Sequence, residues 1–224
     1  MTDAHFHRNV YDAYLSLDGR EWRFFGVHPW QAGDMQCEGV DAVVAGVEAD
    51  LAQNVHAGVG EIGLDRLRAK TIPPEQRAAF ERQLALAAAL ARPAVLHGAK
   101  CWGEVVKACM PYAGRIPAFL FHGFSRSEGL LPQIFAMNGF VSIGPALLND
   151  HAVNYRAMAK SIPLERLLIE TDMDESAAPQ DGAPSRAETL HLVHLKLAEI
   201  RGVDVVDLER ALDVNARRFM EALA

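Results

Sequence analysis

The chain has 224 residues, half of them hydrophobic and 23% charged, a mix that builds a substantial core and excludes a disordered or fibrous protein. Its 22 basic and 29 acidic side chains leave a net charge of −7, so bulk charge makes no case for capturing nucleic acid or an acidic membrane. Any polyanion needs a local basic patch.

Short apolar runs alternate with longer helical patterns along the whole length. Tyr11 to Leu17 reads as a degenerate strand, and Trp22 to His28 as a strand that Pro29 stops. Val55 to Leu64 is the next strand. Pro74, fixed near helical φ and needing no N–H partner, then starts a helix carried by Phe80, Leu84, Ala87 and Ala91. Pro93 to His97 and Ala118 to His122 are short strands. Ser125 and Glu128 have capping-box spacing, predicting a helix through about Met137. Gly139 to Gly144 and Leu167 to Asp172 read as the last strands. Ser185 and Glu188 form a second capping box before a helix to about Ile200, and Val205 to Leu223 supplies a terminal helix. Apolar strands alternating with helices predict an α/β fold with a parallel sheet, closed as a TIM-like (β/α) barrel in a single domain over residues 1–224. Only about twenty residues separate His7 from the His28 strand, so one unit near the N-terminus is shortened and closure is expected to be irregular.

The three cysteines, Cys37, Cys101 and Cys109, form no CxxC pair, which fits a reducing compartment. The first residues lack the build of a secretory leader, and no apolar run nears the ~18–20 residues of a membrane-spanning helix. The expectation is a soluble, cytoplasmic protein with neither a membrane partner nor an obligate protein partner.

Chemistry collects at the C-terminal ends of the predicted strands, where Asp3, His5, His7, His28, Glu61, His97, His122 and Asp172 fall. In a parallel barrel those ends share one face, where active sites are built. His5 and His7 alternate with Phe6 and so project on one side of a strand. Six imidazoles or carboxylates meeting there are expensive to bury without a compensating cation, for which they are suitable donors. Gly60-Glu61-Ile62-Gly63-Leu64-Asp65 sets a carboxylate between glycines at a strand end; the plainer alternative is an ordinary turn. Asp172 shares a strand face with Glu170; the plainer alternative for it is a helix cap. Arg66, Arg68 and Lys70 follow Asp65 and are either a solvated loop or a patch that steers phosphate. His191 and His194 fit the core edge of a helix, and the cysteines lack the setting of a nucleophile.

These pieces, with Gly26-Val27-His28-Pro29, His122-Gly123-Phe124-Ser125, Gly139 to Gly144 and Ile169-Glu170-Thr171-Asp172, resemble the TatD family of metal-dependent hydrolases. The resemblance implies two divalent ions, zinc, magnesium or manganese. His5 and His7 would hold one, His97 and His122 the other. Glu61 would bridge them, and Asp172 would bind the first ion and orient or deprotonate the attacking water, so Asp172 and Glu61 are the expected catalytic residues. Lys100, His28, Arg66 and Arg68 are the expected substrate-binding residues. The implied activity is cleavage of phosphodiesters in nucleic acid, or of a small phosphodiester; the alternative is an ester or amide, as in an aminoacyl-tRNA deacylase or an amidohydrolase-like enzyme. Where relatives carry an arginine after the third histidine, this chain has Lys100, a less directional cation. After Asp172 it has Met173-Asp174-Glu175, acids that would repel phosphate unless turned away.

Overall fold

The computed structural model describes residues 1–9, 11–35, 37–68, 70–177 and 182–223, with the side chains of Cys37 and Glu38 outside the description. Eight strands form one sheet in sequence order: β1 (Asp3–His7), β2 (Ala13–Leu17), β3 (Arg20–Phe25), β4 (Gly58–Asp65), β5 (Ala94–Ala99), β6 (Phe119–Phe121), β7 (Gly139–Ile143) and β8 (Leu167–Ile169). Helices α1 (Pro29–Gly33) and α2 (Cys37–Gln53) follow β3, and α3 (Pro74–Ala89), α4 (Trp102–Cys109), α5 (Leu131–Ala136) and α6 (Val153–Ser161) each follow one of the next strands. Two helices, α7 (Arg186–Arg201) and α8 (Val205–Phe219), follow β8.

From β3 to β8 every pairing is parallel. The shortened N-terminal unit is a departure from the parallel expectation: β2 pairs antiparallel with both β1 and β3, filling one barrel position without a helix. Its cause is local. Asp18 (φ 53°) and Gly19 (φ 74°) both take left-handed backbone between paired Leu17 and Arg20, the two-residue turn that joins antiparallel strands most tightly. Alternation does the rest, with Ala13, Leu15 and Leu17 buried and Tyr14 and Ser16 partly exposed. The barrel closes between β1 and the segment after β8: Asp172 N–H donates to the His5 carbonyl (2.9 Å), His7 N–H to Met173 (2.8 Å) and Glu175 N–H to His7 (2.9 Å).

Strand alternation divides the core in two. Leu96, Phe121, Val141 and Ile169 face outward and pack with Phe80, Leu84 and Val105 of the surrounding helices. Val95, Leu120, Phe140 and Leu168 face the other way, in a cluster with Leu15, Phe24 and Phe219. The residues two steps further along those strands, His97, His122, Ser142 and Glu170, therefore continue the inner face.

Two sequence expectations need correction. No helix starts from a Ser125–Glu128 box: Glu128–Leu130 forms a 3₁₀ turn and the α-helix starts only at Leu131. Pro132 lies in its first turn, where a missing N–H costs nothing; a helix begun at Ser125 would have put that proline in its interior. The last strand also ends at Ile169, leaving Glu170, Thr171 and Asp172 beyond it. The second capping box holds, with the Ser185 hydroxyl accepting from Glu188 N–H and the Glu188 carboxylate accepting from Ser185 N–H. Among the described residues no helix is long and apolar enough to cross a membrane.

Candidate metal centre

His5, His7, His28, Glu61, His97, His122 and Asp172 converge at the mouth of the barrel. The β4–β5 pair explains how Glu61 arrives there. Its register slips between Val59 and Ile62, and Glu61 lies in the slip, re-aimed as residues at such irregularities are. The flanking glycines let the strands come this close: a Cβ on Gly63 (φ 153°) would sit 2.1 Å from the His97 carbonyl oxygen, and one on Gly60 would sit 2.8 Å from Val95 Cβ.

The two oxygens of Glu61 face different imidazoles. Oε1 lies 2.5 Å from His97 Nδ1, 2.6 Å from His122 Nε2 and 3.6 Å from His28 Nε2. Oε2 lies 3.3 Å from His5 Nε2 and 3.6 Å from His7 Nε2. Asp172 Oδ1 approaches the same two rings, 3.7 Å from His5 Nε2 and 3.4 Å from His7 Nε2. Burial would raise the Glu61 pKa, but the charges of His122 and His97 hold it well below the usual carboxylate range. Conversely, burial works against protonation of His122, His97 and His7, yet the facing carboxylates, Glu61 foremost for the first two and Asp172 for His7, raise all three. Burial drives His28 down to about 4, leaving a neutral ring. The carboxylates of this centre thus favour positive charge on the groups that face them.

Every ring but that of His5 is aimed by a second contact. His7 Nδ1 meets the Asp12 carbonyl at 2.8 Å. His97 Nε2 meets Asp65 Oδ2 at 2.9 Å, and the same oxygen accepts from Trp30 Nε1 at 2.9 Å. His122 Nδ1 lies 3.7 Å from Glu170 Oε1, a carboxylate anchored by Gly123 N–H and the Ser142 hydroxyl. His28 caps α1 through Nδ1, which accepts from Trp30 N–H at 3.1 Å, leaving Nε2 toward Glu61. Buried glutamines brace the loops between: Gln83 Oε1 accepts from Val27 N–H (2.6 Å) and Gln76 Oε1 from Asp65 N–H (3.0 Å). Such outer contacts fix which nitrogen of a histidine is free to bind. Asp12, Asp65 and Glu170 were not among the site residues expected from sequence. The signal for Asp65 was its place in the Gly60–Asp65 segment; for Glu170 it was the shared strand face with Asp172.

The residues fit divalent metal. Among the described residues both nitrogens of buried His5 and Nδ1 of buried His122 have no hydrogen-bond partner, which is costly unless something else satisfies them. Three overlapping sets, His5–His7–Glu61, His5–His122–Asp172 and His28–Glu61–His97, each bring ligand atoms within 4.8 Å of one another. His28, expected as a substrate contact, is therefore positioned like a ligand.

A family model described as TatD related DNase matches residues 2–221. The chain belongs to the TatD family. It is 32% identical over 204 residues to the 3'-5' ssDNA/RNA exonuclease TatD of Pectobacterium carotovorum, covering 88% of this chain and 76% of that one. To the protein of the same name from Edwardsiella piscicida it is 31% identical over 205 residues, covering 88% and 77%. In fold it resembles a TatD homologue from Escherichia coli (TM-score 0.74, 23% identity, 88% and 76% covered) and a TatD-family hydrolase from Entamoeba histolytica (TM-score 0.71, 18% identity, 88% and 73% covered).

Beside the imidazoles of this TatD-family chain opens a cavity of about 790 Å³, walled by Arg66, His97, Lys100, Ser125, Arg126 and Asp172 among others. The basic loop enters it only in part. Arg66 lines the cavity but pairs with Glu104 (3.0 Å), and Arg68 stacks on Trp30, 3.8 Å from the ring centroid. The acids after Asp172 are turned to other partners: Asp174 accepts from Ser176, and Glu175 pairs with Arg186 (2.7 Å). Among the described residues Asp172 caps no helix. Cys101 and Cys109 are buried free thiols; burial pushes Cys101 up to about 12 and raises Cys109 further, so neither is a nucleophile. Cys37 lies outside the described side chains.

Proposed function

We propose that this chain is a divalent-metal-dependent hydrolase of phosphodiester bonds in nucleic acid, working as one barrel domain over residues 1–224. The observation that carries the reading is Glu61, whose two oxygens face separate imidazole pairs. In this reading His5, His7 and Asp172 would hold one ion and His97 and His122 a second, with His28 beside them and Glu61 as a ligand common to both sets. Divalent ions held by these residues would supply Lewis acidity toward a water and toward charge on a phosphate. Zinc suits the imidazoles, and magnesium or manganese the carboxylates.

The protein's own groups divide the remaining work. Glu61 is 2% exposed and faced by five histidines, so it would be a fixed ligand. The Asp172 side chain is 47% exposed and opens onto the cavity. Desolvation opposes its ionisation, but the hydrogen bond to His7 and the charge of His122 keep it below its usual range. It is therefore an ionised acceptor, able to orient the attacking water and take its proton. Lys100 faces the same cavity without an acidic partner among the described residues and supplies a point charge for the phosphate. Arg66, tied to Glu104, contributes to the field at the cavity mouth, while Arg68 acts from its stack on Trp30. The exonuclease names of the relatives support nucleic acid over an aminoacyl ester.

The test is a panel assay of protein reconstituted with Zn²⁺, Mg²⁺ or Mn²⁺ on a fluorescent single-stranded oligonucleotide, a model phosphodiester and an aminoacyl ester. Oligonucleotide cleavage lost with chelator is the expected result. Activity confined to the ester would overturn the reading, and wild-type turnover by Asp172→Asn would remove Asp172 from its role.

A further inference from the structure

Two cavities meet at one arginine. The cavity beside the imidazoles shares Ser125 and Arg126 with a second of about 1000 Å³, walled by His151, Val153, Asn154 and Tyr155 at the start of α6. The second cavity has none of His97, His122 or Asp172 in its wall, so it lies beyond Arg126 from the metal centre. Arg126, at the junction, is exposed and has no acidic or hydrogen-bonding partner among the described residues. Its backbone is left-handed (φ 57°), a conformation that glycine adopts freely and a side chain adopts at a cost. Lys100 (φ 58°) and Asp172 (φ 52°) share that strain and line the first cavity with it. Strain of this kind gathers where geometry serves a site.

We infer that Arg126 holds the phosphate next to the scissile one and that the second cavity, beyond it, takes the adjoining base. This rests on the reading of the site as a nucleic-acid hydrolase. Single strands are gripped by cations along the backbone and by flat or apolar faces under the bases. The near cavity supplies cations, Lys100 and Arg126. The far one offers the His151 ring and exposed Val153 (68%), with Asn154 as donor and acceptor. Glu128, the acid in that far wall, repels phosphate and leaves the space to a base. A contact to phosphate positions the strand without reading its sequence, so the grip is indifferent to base identity.

Arg126→Gly tests this with little risk to folding, because glycine suits the same φ. Steady-state kinetics compare a single-stranded DNA decamer with bis(p-nitrophenyl) phosphate, which carries one phosphate and no neighbour. The ratio of kcat/KM for the decamer to that for the small diester should fall about tenfold, through KM, equivalent to about 1.4 kcal/mol. The slope of log decamer affinity against log salt, measured by fluorescence anisotropy, should shrink by about 0.7, one phosphate contact on a single strand. Arg126→Lys should restore most of the slope. A ratio and slope both kept at wild-type values would overturn the inference. So would a wild-type enzyme that cleaves the small diester yet gains nothing from strand length, a result that leaves the hydrolase reading standing. Wild-type protein that cleaves neither substrate with any metal would defeat the hydrolase reading and this inference with it.

Discussion

Replacing Asp65 by Asn removes one charge without changing shape, and its effect follows from three contacts. Asp65 Oδ2 lies 2.9 Å from His97 Nε2 and from Trp30 Nε1, and Oδ1 accepts from Leu67 N–H. All three call for an acceptor. An asparagine presents one oxygen and one NH₂, so either orientation sets a donor against a donor, a loss of roughly 1–3 kcal/mol for an unsatisfied buried group. The bond to His97 also loses its charge assistance, about half its strength. That bond keeps the proton on Nε2 and leaves Nδ1, 2.5 Å from Glu61, free to bind. Outer-contact changes of this kind cost 10–100-fold in metal affinity, about 1.4–2.8 kcal/mol. Calorimetric titration of Mn²⁺ or Zn²⁺ into metal-free Asp65→Asn should show one weakened site, held by His97 and His122, and one site near wild type, held by His5 and His7. Two sites of wild-type affinity, or equal loss at both, would refute the reasoning.

Gly63→Ala forces a Cβ to within 2.1 Å of the His97 carbonyl oxygen and should destabilise the protein by about 2–4 kcal/mol; an unchanged urea midpoint would contradict the close approach of β4 and β5. Buried Asp3 is raised to about 6 by desolvation, despite its bonds from Thr171 and Arg186. The folded state therefore holds a proton there that the unfolded chain, at 3.8, has released, and ionising Asp3 between about pH 4 and 6 costs stability. The shift corresponds to about 3 kcal/mol, so Asp3→Asn should gain up to that much on wild type as pH rises from 4 to 7; a flat difference in denaturant unfolding would sink it. Ser185→Ala removes the α7 cap, worth about 1 kcal/mol, and should lower Tm by about 2–4 °C, with no shift counting against the cap's contribution.

Local patterns in the chain were enough to determine the alternation of strands and helices, the cap at Ser185 and the convergence of His5, His7, Glu61, His97, His122 and Asp172, because period and punctuation are written in neighbouring residues. Asp18-Gly19 carried the hairpin signal as well, although strand length alone suggested only a shortened unit. The direction of β2 departs from the parallel expectation because alternation looks the same for parallel and antiparallel neighbours. Only the tertiary structure decided which partner each charged side chain has. Arg66 meets Glu104, Arg68 meets Trp30, Asp65 meets His97 and Glu170 approaches His122 across gaps of many residues. Arg126, one cation among 22 basic side chains, stands out only once the barrel places it between two cavities with no partner among the described residues. Charge is legible residue by residue, but its strength depends on distance and burial, which the folded chain alone sets.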